Sequence, residues 1–70
     1  SGIDLILTKM MRNDPQDLQD IRFLLGREKY SAAHLLRAFA DARVPAIAEI
    51  GEAFLAMQPV VLSIADSQAS

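Results

Sequence analysis

Cysteine is absent from this sequence. Disulfides, a thiolate zinc site and thiol redox chemistry are therefore excluded, and nothing covalent staples the fold. A cysteine-free chain suits a reducing compartment, which sets the expectation of a cytoplasmic protein. Glycine is scarce as well. Gly2, Gly26 and Gly51 stand apart from one another, so no glycine-rich loop can cradle a phosphate. No apolar run approaches the roughly 20 residues that span a bilayer, and no membrane is expected as a partner. The opening Ser1-Gly2-Ile3-Asp4 has neither a basic leader nor an initiator methionine. The expectation is a single helical module over residues 1–70, a fragment or C-terminal domain of a longer chain.

Positive charge is not in excess either. Seven basic groups face nine acids, for a formal net charge of −2. All seven basic groups lie in residues 1–43, beside six acids, while residues 44–70 hold only Glu49, Glu52 and Asp66. Binding to a phosphate backbone needs clustered Lys and Arg, so nucleic acid is not an expected partner. A chain this short buries only about 60% of its unfolded surface, and its stability is marginal without a staple or a partner.

What is present is helical periodicity. Ile3, Ile6, Leu7, Met10 and Met11 recur at three- and four-residue spacing, which predicts a first helix over 3–12, ended by Asn13. Ser1 and Asp4 have the spacing of a capping box. Asp14-Pro15-Gln16-Asp17 opens a second helix: Asp14 as N-cap, Pro15 where no hydrogen bond is lost, and Asp17 on the positive end of the dipole. That helix continues through Leu18, Ile21, Leu24 and Leu25, and Gly26 is expected to close it. Arg27 to Tyr30 form a connector, and Ser31 caps a third helix with Leu35, Leu36, Phe39 and Val44 facing inward. Pro45 suits the first turn of a fourth helix running to about Met57. Pro59 should break or kink it, leaving Val60 to Ile64 ambiguous between strand and helix and residues 66–70 frayed. The fold class is therefore all-α, a small antiparallel bundle of three to four short helices.

Chemistry-bearing residues are few. Asp14, Asp17 and Asp20 crowd a helix start, which is ordinary dipole complementation rather than a cation cage. His34 is the single histidine, and with Ser31 and Asp41 on the same helix it cannot build a converging triad. Residues 17–43 have the outline of a helix-turn-helix, yet Ser31-Ala32-Ala33-His34 offers almost nothing to read a base edge. No catalytic residue, metal ligand or cofactor is expected in this chain. On a helical wheel of residues 44–58, apart from Gln58, only Glu49, Glu52 and Ala56 interrupt an apolar arc about twice the roughly 100° a helix normally buries. Ile47, Ile50, Phe54, Leu55 and Met57 are thus candidate interface residues, for a homo-oligomer seam or an absent domain. The alternative is that residues 59–65 fold back over the stripe.

Residues 4–25 carry a resemblance. Asp4-Leu5, Lys9, Arg12 and the run Pro15-Gln16-Asp17-Leu18-Gln19-Asp20-Ile21 resemble the helical part that follows the catalytic domain in bacterial nucleotidyltransferase-like proteins of the DNA polymerase beta superfamily. Uncharacterised members and AbiEii-type toxins share that pattern. In that family the lysine and the first aspartate of the second helix are thought to face the nucleotide site. The resemblance implies Lys9 and Asp17 in that role, with Arg12 and Asp20 as neighbours. The family's Gly-Ser motif and strand-borne acids are missing here. It therefore implies a non-catalytic accessory module that packs on a missing N-terminal catalytic domain. Magnesium and a nucleoside triphosphate would belong to the parent protein. The competing expectation is a free-standing helical interaction or oligomerisation domain. Independently of the resemblance, a hairpin of the first two helices should bring Lys9 and Arg12 close to Asp17 and Asp20.

Overall fold

The computed structural model describes residues 2–12 and 14–69. Four helices account for it, and no strand occurs among the described residues: α1 (Gly2–Met10), α2 (Pro15–Glu28), α3 (Ala32–Asp41) and α4 (Ala48–Ala69). The all-α bundle expected from periodicity is the observed fold. Its radius of gyration, 11.1 Å, is what a compact chain of this length should have, about 11 Å. The helices therefore share one core rather than splaying.

The starts of α2 and α3 follow from their caps. The Asp14 carboxylate accepts the Gln16 amide at 3.0 Å with Pro15 just behind it, and Ser31 Oγ accepts the His34 amide at 3.1 Å. The expected roles of Ser1 as a cap and Asn13 as a helix end lie outside the described residues. α1 closes instead through the Met11 and Arg12 amides, which donate to the Thr8 and Lys9 carbonyls. α1 and α2 run antiparallel, since Lys9 meets Asp17 and Asp20 while Gly2 lies beside Glu28. α1 and α4 each touch all three other helices, whereas α2 and α3 do not touch each other. Ile6 and Met10 of α1, Ile21 and Leu25 of α2, Leu35 of α3 and Val61 of α4 are fully buried at this crossing.

Four boundaries differ from the sequence reading. α2 does not stop at Gly26 but runs to Glu28, and Lys29 takes the left-handed conformation (φ 55°, ψ 55°), donating its amide to the Leu25 carbonyl. Gly26 is an ordinary helical residue whose bare Cα faces Gln68 of α4. Pro45 does not open α4. Its carbonyl accepts the Ile47 amide at 2.8 Å in a tight turn, and the helical ladder starts with Gly51 donating to Ile47. Pro59 does not end α4, and Val60 to Ile64 are helical. Residues 66–69 stay in the helix, where Gln68 Nε2 donates to the Arg22 carbonyl of α2 at 3.3 Å.

Two side-chain placements change as well. Leu36, expected inside, is half exposed, because α3 buries Leu35 and Phe39 instead. Phe54, expected at an interface, is 4% exposed and meets Phe39 edge-on, with centroids 6.0 Å apart at 86°. With Pro59 inside the helix, α4 becomes long and apolar enough by length and composition to cross a membrane, which segments counted on either side of Pro59 were not. One of its faces nevertheless supplies Ala53, Phe54, Val61, Ile64 and Ala65 to the shared core.

Candidate functional site

The hairpin of α1 and α2 gathers charge. Lys9 in the last turn of α1 reaches across to the first turns of α2, and Nζ donates to Asp20 Oδ2 at 2.9 Å and to Asp17 Oδ1 at 3.4 Å. Arg12 Nε lies 3.3 Å from Asp17 Oδ2, an ion-pair distance, although that oxygen has no aligned hydrogen bond. The structure thus brings together all four residues singled out at this end, Lys9, Arg12, Asp17 and Asp20. Asp17 is 5% exposed, the only charged residue in the buried set among those described. Its burial has a local cause: one face of α2 must pack Ile21, Leu24 and Leu25, and Asp17 sits one turn ahead of Ile21 on that face. Two cations are what make such burial tolerable.

The Lys9 ammonium is held above the usual lysine range, first by its hydrogen bond to Asp20 and then by Asp17 and both carboxylate charges, against the opposing pull of desolvation. Tyr30 is also raised, first by burial and then by the charge of Glu28, whose Oε1 accepts its hydroxyl at 3.5 Å. A group whose pKa is raised on folding contributes stability that is complete below its unfolded pKa and lost above it. Both raised groups therefore predict a melting temperature that falls once pH climbs past about 10. Lys9→Met and Tyr30→Phe should each flatten that decline. A series of thermal melts between pH 8 and 11 checks this, and an unchanged slope in both variants would refute it.

The other candidates separate. His34 is exposed and packs edge-on against Tyr30 at 5.1 Å, while Ser31 Oγ is committed to capping the His34 amide. No group of three or more His, Cys, Asp or Glu that could hold a metal occurs among the described residues. A helix-turn-helix requires its two helices to pack together, and α2 and α3 do not. Of the interface candidates, Ile47 and Leu55 are exposed, Ile50 and Met57 half-buried, and Phe54 internal.

One surface escaped the sequence reading. Leu5, Lys9, Asp20, Phe23, Leu24 and Arg27 line a shallow depression on the α1–α2 face, with Phe23 66% exposed and Arg27 lying over its ring at 5.6 Å. The signal was an aromatic at Phe23, off the Leu18–Ile21–Leu25 stripe. Compared with known proteins, the chain matches no family model, no curated protein and no solved structure.

Proposed function

We propose that this chain is a non-catalytic helical protein-interaction module that packs on a second protein body through apolar side chains its own core does not cover. The observation that carries the reading is the outward placement of large apolar groups on a chain with little core to spare. Phe23 and Leu55 are each 66% exposed, and Leu5, Leu36 and Ile47 about half exposed. Single exposed leucines such as Leu36 are commonplace, but the other four fall into two pairs. Leu5 and Phe23 share one depression, and Ile47 and Leu55 flank Gly51, beside which a Cβ would meet nothing within 4 Å. Contiguous apolar surface of that kind marks protein contacts. Amide hydrogen exchange tests the reading. The backbone around Phe23 or Leu55 should gain protection as concentration rises, or when this segment is studied within a longer parent. Unchanged protection in both comparisons would end it.

A second reading is favoured by the charge cluster. In it, the second body is a nucleotidyltransferase-like catalytic domain, and the module lends residues to its nucleotide site. Supporting it are the resemblance over residues 4–25 and the hairpin geometry that gathers Lys9, Arg12, Asp17 and Asp20. Asp17 faces its two cations and is closed to solvent, and Lys9 is largely covered and held by both carboxylates, so the open groups are Arg12 and the half-exposed Asp20. Calorimetric titration of the parent with a nucleoside triphosphate and magnesium should show weaker binding for Lys9→Ala and Arg12→Ala. Equal affinity in parent and variants would discard the nucleotide role and leave the interaction module standing.

A further inference from the structure

We propose that the α1–α2 face is self-complementary and takes a second copy of this chain, with Phe23 at the centre and Asp20 of each copy paired to Arg27 of the other. The inference rests on the interaction-module reading and names its partner. Along α2, Asp20, Phe23 and Arg27 stand at positions i, i+3 and i+7, which steps of about 100° place within about 60° of one another. They line the same depression, with Leu5 of α1 beside them. Their order is acid, aromatic, base. A twofold axis crossing α2 between Phe23 and Leu24 lays two such helices antiparallel. Asp20 and Arg27 are then equidistant from the axis, each about 5 Å along the helix, so each carboxylate comes level with a guanidinium of the other copy.

The groups are disposed for this. Lys9 holds Asp20 through Oδ2 at the rim of the depression, and the Asp20 side chain remains 46% exposed. Arg27 engages Glu28 through Nε at 3.1 Å, and a guanidinium has two further donor ends for an acceptor. Arg27 lies over one side of the Phe23 ring yet leaves Phe23 66% exposed, so a second ring has room to pack on it. The rival surface on α4 lacks this complementarity. α4 carries no basic residue, and Glu52 stands about 60° round the helix from its exposed Leu55, so a second α4 would offer no opposite charge to pair with it.

Light scattering coupled to size exclusion, on the 70-residue chain over a concentration series, tests the proposal. The expected result is twice the chain mass at high micromolar concentration. The dissociation constant should rise at least about tenfold in Phe23→Glu and in Arg27→Glu, and also on raising salt, with Leu55→Glu unchanged. If Phe23→Glu loses its helical circular dichroism, Arg27→Glu decides alone, being a surface substitution. A dimer that survives Phe23→Glu and Arg27→Glu but is lost in Leu55→Glu would overturn this face while leaving the interaction module intact. A strict single-chain mass throughout would overturn self-docking altogether, and the amide-exchange comparison with a longer parent would then judge the broader reading separately.

Discussion

Phe54→Ala should destabilise the chain by about 3–5 kcal/mol, while Leu55→Ala, one residue further on, should stay within about 0.5 kcal/mol of the parent. The two side chains leave α4 about 100° apart. Phe54 is almost wholly buried and closes the core between α3 and α4 through its edge-on contact with Phe39. Removing its ring opens a cavity that the short α3 cannot collapse to fill, so the transfer loss and the cavity cost add. Leu55 lies mostly in water, and truncating it surrenders little. A chain of 70 residues has only about 4–10 kcal/mol of stability in total, so the Phe54 variant should approach unfolding at ordinary temperature. Urea melts followed by circular dichroism read both values. Similar midpoints for the two variants would mean that α4 presents a different face to the core.

That contrast also shows how far the residues could be read without coordinates. The starts of α2 and α3 were legible because capping is local: Asp14-Pro15 and Ser31 each satisfy amides within three residues, and no distant group needs to agree. The charge cluster was legible for a related reason. A short link between α1 and α2 forces Lys9 and Asp17 together once both flanking segments are helical. Helix ends were not. Gly26 is the residue best suited to a left-handed cap, yet the helix runs on to Glu28, which brings Tyr30 against the core, and the cap falls to Lys29 at a cost of about 1–2 kcal/mol. The wheel over residues 44–58 correctly found more apolar surface than one side can bury. It could not say which part faces inward, because that depends on α1 and α3 arriving from elsewhere in the chain. Phe54 went to the core and Leu55 to the surface for that reason.

Pro59→Ala should stabilise the chain, by about 1–3 kcal/mol. α4 passes straight through Pro59, although proline there withholds the amide that the Leu55 carbonyl would accept and presses its ring against that same carbonyl. The helix persists because residues beyond the proline are bound by tertiary contacts. Val61, Ile64 and Ala65 are buried, and Gln68 reaches the Arg22 carbonyl of α2. Both Pro59 and Leu55 are exposed, so water can serve the orphaned carbonyl and the pyrrolidine ring contributes nothing to the core. Alanine restores the hydrogen bond and removes the clash without opening a cavity. Against this stands the smaller freedom of proline in the unfolded chain, worth about 1 kcal/mol at most. The balance favours alanine, and thermal melts of the two proteins measure it. Should Pro59→Ala melt lower than the parent, the freedom that proline removes from the unfolded chain outweighs the hydrogen bond it forfeits in α4.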